Sequence, residues 1–243
     1  MKLLAAIALT AASSWAIAQP PGPPGAPRQP PATIQVTGEA QVSEIPDRVY
    51  IDIGVSTQAR RSEEAASQNA ARLATVITAV KRAAGPTAQL TTTQYSVSPD
   101  YNYPRGGGTA TVVGYTVGNV VQVRLDELRR IGGVIDAATQ AGSNSVQNIR
   151  FALRDEQVAR GQALRQAVLN ASQDAGALAD ALGLKVVRVL AVDEGSPAVE
   201  PVYPRPRLFA QVRAAEAPTP VAAGTLDVSA TVTLTVEVAP ASR

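Results

Sequence analysis

The chain has 243 residues, 45% hydrophobic and 17% charged, with 22 basic against 20 acidic side chains, no Cys and no His. Without Cys there is no disulfide, thiolate nucleophile or lipid-anchored cysteine, and without His there is no imidazole base, Ser-His-Asp triad or histidine metal site. The net charge is +2 and no Lys/Arg run exceeds two residues, so the clustered basic footprint of a nucleic-acid binder is missing.

Residues 1–18 read as a secretory signal peptide. Lys2 is the positive start, Leu3 to Ala12 the apolar stretch, and Ala16-Ile17-Ala18 the small-residue cleavage site. The stretch is too short to span a bilayer, and no later segment is apolar enough to do so as a helix. The expectation is a chain that begins at Gln19 after cleavage and is exported. It would work in the periplasm, with peripheral outer-membrane association left open.

Residues 19–32 are expected to form a Pro-rich, disordered tether. Seven prolines within residues 20–31 fix φ, remove donors and favour an extended chain. A spacer suits this composition better than a ligand for a proline-binding domain.

The folded part is expected over residues 33–239, with 240–243 as a C-terminal tail. Ile34, Val36, Gly38, Ala40 and Val42 alternate with polar residues, as in a half-buried strand. Ser43 to Asp47 supplies turn chemistry, and Val49, Ile51, Ile53 and Val55 alternate again. The pair reads as a hairpin. A helix follows, with Ser62 as its expected N-cap. Ala65, Asn69, Leu73, Val76 and Val80 make up its inner face, and Gly85-Pro86 ends it.

Strands are expected at 90–98 and 111–124, joined by a loop from Pro99 through Gly106-Gly107-Gly108. A second helix spans about 125–141, with Gly142 as cap, and a strand covers 145–154. The longest helix runs over about 155–182. Its seam is Leu164, Val168, Ala171, Ala175, Leu178 and Leu182, and Gly183 closes it. A strand at 185–192 precedes Pro-rich loops at 195–206 and 216–224, which flank a short run from Leu208 to Ala214. The last strand is the clearest, with Leu226, Val228, Ala230, Val232, Leu234, Val236 and Val238 all on one face. The order predicts an α+β fold, with antiparallel sheets and about three amphipathic helices packed on one face. The helices also argue against a membrane β-barrel.

Ordered motifs now carry a resemblance. They are Val36-Thr37-Gly38-Glu39-Ala40 with Pro46-Asp47, Tyr95 with Pro99 to Tyr103, and Gly114-Tyr115 with Asn119. Further along come Ile131 to Ala138, Ala141-Gly142-Ser143-Asn144, Phe151 to Asp155, Ala181-Leu182-Gly183, and Gly224 to Ala230. In this order and spacing the chain resembles the SIMPL-domain family, typified by bacterial 26–28 kDa periplasmic or outer-membrane antigens. The resemblance implies an α+β fold, export in bacteria and no established catalysis. Eukaryotic relatives described as partners of a signalling kinase tilt the family toward interaction. The Pro- and Gly-rich segments 99–110 and 195–224 depart from its pattern.

Catalytic, cofactor-binding and metal residues are expected to be none. Glu39, Asp47, Asp136, Asp155 and Glu194 are the acids at family-like positions, and each has a bland reading as a turn, cap or helix residue. No calcium-loop spacing, P-loop, dinucleotide fingerprint or G-x-S-x-G occurs. Lys81 and Lys185 lie near element ends, where a Ser–Lys dyad is not needed to explain them. The candidate interaction loop is Tyr101, Asn102 and Tyr103: tyrosines give flat contact area with a polar tip. They could equally pack on the sheet and anchor the loop. The functional expectation is an exported, non-enzymatic cell-envelope protein that forms a homo-oligomer or binds an envelope partner. The alternatives are a carboxylate-based hydrolase and a carrier of a small apolar ligand.

Overall fold

The computed structural model describes residues 31–195, 198–202, 221 and 223–241. The expected signal peptide, nearly all of the expected tether and the Leu208–Ala214 run lie outside these residues. In chain order the elements are β1 (Thr33–Glu44), β2 (Arg48–Ala59), α1 (Ser62–Ala84), β3 (Gln89–Asn102) and β4 (Thr111–Leu125). A single 3-10 turn (Leu128–Arg130) leads into α2 (Ile131–Gln140) and β5 (Ser145–Ala152). Then come α3 (Glu156–Ala181), β6 (Leu184–Glu194), β7 (Ala198–Val202) and β8 (Thr225–Pro240).

The strands form two antiparallel sheets. One has the order β3-β4-β2-β5; the other has β1-β8-β6, with β7 also on β8. The fold is therefore α+β, but β1 and β2 do not make a hairpin. β1 pairs with β8 from Thr33↔Glu237 to Glu44↔Leu226, while β2 lies between β4 and β5. Alternation alone cannot tell one antiparallel partner from another. Here the three-residue connection Ile45-Pro46-Asp47 hands the chain from one sheet to the other. Asp47 fixes that crossing: its N–H donates to the Ala152 carbonyl at 3.3 Å, and its Oδ1 accepts from the Arg154 N–H at 2.7 Å.

The first core lies between β2/β4 and the helices α1 and α2. Val49, Ile51, Ile53 and Val55 meet Val76, Val80, Val123, Leu125, Ile131 and Val134, all buried. The expected inner face of α1 is buried at Ala65, Asn69, Val76 and Val80, with Leu73 partly buried. Asn69 sits in apolar surroundings because its Nδ2 donates to both Val55 O and Val117 O at 3.0 Å, tying α1 to two strands. Two helix starts differ from expectation. Ser62 is the first helical residue and Arg61 takes the N-cap position without a side-chain capping bond. The second helix begins at Ile131, since β4 runs on to Leu125 and the 3-10 turn intervenes. Gly85, Gly142 and Gly183 do end their helices at positive φ, where a Cβ would strain the backbone.

The second core lies between β1/β8 and α3. The apolar face of β8 is buried along its length, as its alternation predicts. The seam of α3 is not the expected one. Its buried residues are Ala159, Ala163, Ala167, Ala171, Ala175 and Ala179, whereas Val168, Leu178 and Leu182 are exposed. A strict four-residue step follows the ridge inclined to the helix axis rather than a line along it. Small residues win because the backbones approach closely. A Cβ on Gly38 of β1 would lie 2.5 Å from Ala171 N and 2.7 Å from Ala171 Cβ, and would also collide with Ala167 O. Leucines on that ridge would hold the helix off the sheet.

Candidate functional site

The β3–β4 hairpin carries the predicted interaction residues. The structure shortens their loop: β3 continues to Asn102, so Tyr101 and Asn102 are strand residues opposite Val112 and Thr111. Only Tyr103 lies in the turn. Pro99 is accommodated because β3 is the edge strand of its sheet; it pairs in register with Tyr115, and the register shifts only beyond it, between Asp100 and Tyr101. Asp100 secures the base of this extension. It accepts from Thr116 Oγ1 at 2.9 Å and from Gln58 Nε2 at 2.7 Å, and so joins β3 to β4 and β2.

The tyrosines do not anchor the loop against the sheet. Tyr101 is 50% and Tyr103 73% exposed, and their ring centroids are 6.3 Å apart with planes tilted by 47°. They lean on one another and leave their outer faces open. Tyr95 and Val97 stand opposite Asn119 and Val117 on the face that α1 covers nearer the helix, yet both are exposed, as are Val112 and Val113. The hairpin thus leaves Tyr95, Val97, Tyr101, Tyr103, Val112 and Val113 exposed. Sequence reading picked out Tyr101, Asn102 and Tyr103 but not Tyr95, Val97, Val112 and Val113, which it placed in the strands at 90–98 and 111–124 without assigning them a surface.

Of the acids at the other candidate positions, Asp47, Asp155 and Glu194 are engaged, each at a separate place. Asp155 is the N-cap of α3 and accepts from Gln157 N at 3.0 Å. Asp47 holds the sheet crossing, Glu194 pairs with Arg160, and Asp136 lies in α2. Glu39 offers its backbone oxygen to Asn170 Nδ2 at 2.8 Å. Glu44, Asp47 and Asp155 do line one depression of about 190 Å³, but both aspartates there are engaged by backbone N–H groups. Among the described residues no three acidic side chains gather as a metal-holding group.

The strongest ionic cluster stiffens the fold. Arg48 donates to Asp126 through Nε at 2.8 Å and Nη2 at 3.3 Å, a fork-to-fork pair. These bonds hold the Asp126 carboxyl below its usual range, against an opposing effect of burial, and raise Arg48 further. Glu127 is lowered by hydrogen bonds from Arg130 and Arg129.

A polar groove of about 220 Å³ crosses the helix-free face of the same sheet, floored by Gly54 and Gly118 and edged by Ser96, Thr116, Asn144 and Gln147. Glycine inside two adjacent strands was the sequence signal for it. Asn144 belongs to the framework, because its side chain exchanges two 2.9 Å bonds with the Ser56 backbone. Ser143 Oγ likewise donates to Gly54 O at 2.9 Å. The Ala141–Asn144 motif is thus explained by the closing of β5 onto β2.

No helix among the described residues is long and apolar enough to cross a membrane. The chain is similar to the 26 kDa periplasmic immunogenic protein of Brucella melitensis biotype 1, with 32% identity over 202 residues that cover 80% of each chain. The Brucella abortus protein of the same description matches to the same extent. The uncharacterized protein YggE of Escherichia coli K12 is 26% identical over 159 residues, covering 65% of this chain and 64% of its own. A solved amidase of the hydantoinase/carbamoylase family from Burkholderia phymatum reaches a TM-score of only 0.23 at 16% identity, over 49% of this chain and 28% of its own, and carries no argument. The SIMPL family model, described as a protein of unknown function (DUF541), matches residues 34–236. That span takes in both sheets and all three helices, and the chain belongs to the SIMPL family.

Proposed function

We propose that this chain is an exported, non-enzymatic protein of the bacterial cell envelope that works in the periplasm by self-association or by binding a protein partner. One observation carries the reading: the β3–β4 hairpin holds Tyr95, Val97, Tyr101, Tyr103, Val112 and Val113 exposed together. Tyrosine and valine on a paired scaffold lose little entropy on contact and give up water readily, so such a surface is suited to an interface. The Brucella relatives are named as periplasmic proteins, which supports the periplasm, as does the signal pattern in residues 1–18.

The alternatives draw less support. The space between α1 and its sheet, lined by Ile53, Val76, Val80, Leu90, Val121 and Val123, has a volume of about 0 Å³ for a water-sized sphere, which offers an apolar cargo no room. A carboxylate hydrolase would need two free acids facing one site, and Asp47 and Asp155 are committed to backbone donors.

Paired substitution Tyr101→Ala with Tyr103→Ala tests the reading. Light scattering after size exclusion, together with a cross-linking pull-down, should show a smaller assembly or a lost partner while the circular dichroism spectrum is unchanged. Unaltered mass and unaltered recovery would remove the hairpin from the interface.

A further inference from the structure

Among the described residues, strand β6 ends its sheet and its outer edge has no partner strand. Its pairing with β8 sets Val186, Val189 and Val192 opposite Val238, Val236 and Leu234, all on the side that α3 occupies. The helix lies over β1 and β8, so these three valines stay 39%, 51% and 59% exposed. The opposite side of β6 carries Lys185 and Asp193, set against Ala239 and Thr233. The strand has four charges. Arg188 is paired with Glu237, and Glu194 with Arg160. Lys185 and Asp193 have no ionic partner among the described residues.

Those two charges have opposite sign and stand four residues before and four after Val189. An edge strand is normally guarded by charges that repel a copy of itself. This arrangement does the reverse for one partner only, a second β6 laid antiparallel about a two-fold axis at Val189. Val186 then meets Val192 of the copy, Val189 meets its own equivalent, and Lys185 meets Asp193 twice over. Facing residues in an antiparallel pair must lie on one side of the sheet. The register with β8 puts the three valines on the α3 side and the lysine and aspartate on the other; it shifts between Val186 and Arg188 and between Val189 and Ala191, so each interval between matched valines carries one irregularity on each strand and the residue count across the pair stays equal.

We infer that β6 is a self-complementary edge through which two copies of this chain join into one continuous sheet. The inference rests on the self-association reading, but it uses a surface separate from the tyrosine hairpin. The two-fold contact is isologous, so each charge pair forms twice and each substitution acts twice.

Charge reversal tests it. Lys185→Glu alone, and Asp193→Lys alone, place like charges opposite each other at both ends. Each should weaken dimerisation by roughly tenfold or more in sedimentation equilibrium at low salt, because like charges across an interface are costly. The double variant Lys185→Glu/Asp193→Lys restores both pairs and should return the dimer to near its original strength. Both sites are exposed strand positions, and circular dichroism of each variant reports the fold. An assembly that ignores both single changes, or a double variant that stays weak, overturns the β6 edge while leaving self-association standing; the second result would point to a partner of other chemistry. A chain that remains monomeric at high concentration and captures no partner overturns the edge and the broader reading together.

Discussion

Gly38 shows what a single hydrogen atom can decide. The glycine lies in ordinary extended backbone, and its requirement is space, because α3 crosses it at backbone contact. We expect Gly38→Ala to cost about 2–3 kcal/mol, the usual penalty for overpacking a filled core. For a domain of this size that is a fall of roughly 4–12 °C in melting temperature, read by calorimetry. Asp126 offers a second test at the same scale. Its carboxyl is held below the usual value of 3.8, chiefly by Arg48, so the pair stabilises the fold above that value. The contribution fades as pH falls through the lowered range of the folded state. Asp126→Asn should therefore cost about 1–3 kcal/mol at neutral pH, where a charge-assisted bond is lost, and flatten the acid limb of the melting-temperature profile. A variant whose loss is equal at pH 7 and at strongly acidic pH would contradict this assignment. Residue-level signals were only half legible beforehand. Gly85, Gly142 and Gly183 announce helix ends by chemistry local to the turn. Gly38 gives no such sign, since its constraint comes from Ala167 and Ala171, far away in sequence.

The elements show where periodicity informs and where it misleads. β8 was readable because one face is uniformly apolar over the whole strand, and burial follows it residue by residue. In α3 a leucine-bearing seam and an alanine stripe both satisfy helical spacing. Hydrophobic size favours the leucines, and close approach to β1 favours the alanines. The structure follows the alanines. Two substitutions separate the contributions. Leu178→Gln lies on the exposed side and should change stability by no more than about 0.5 kcal/mol, as surface substitutions do. Ala171→Leu must push the helix off Gly38 and should cost about 3 kcal/mol or more in urea denaturation. If the two changes prove equal, the alanine stripe is not what sets the contact. The hairpin teaches the complementary lesson. Its tyrosines stood out in the sequence, but Pro99 and three glycines suggested a long loop. The strand runs on to Asn102 because an edge strand tolerates the proline and the Asp100 bonds to Thr116 and Gln58 hold the extension.

At the scale of the whole molecule, the two sheets differ in how the chain supplies them. The sheet of β2, β3, β4 and β5 is made from the continuous stretch 48–152. The other joins the first strand to the last, with Ile34 opposite Val236. This closure explains why β1 and β2 could not be recognised as belonging to different sheets: the partner of β1 lies at the far end of the sequence. It also sets an order of assembly. Bringing β1 to β8 closes a loop roughly three times as long as bringing Ile53 to Val121, which adds about 1 kcal/mol of entropy before any contact repays it. Once the 48–152 sheet has formed, the ends of that stretch are held together by Asp47 through Ala152 and Arg154, and the remaining loop is much shorter. The first core therefore acts as the template for the second. Pulse-labelled hydrogen exchange during refolding should find amides of β2 and β4 protected before those of β1 and β8. Asp47→Ala should delay the second phase more than the first, because it frees the junction without touching either core. Simultaneous protection of both sheets, or equal slowing of both phases, would mean that the long-range strands of β1 and β8 already belong to the folding nucleus.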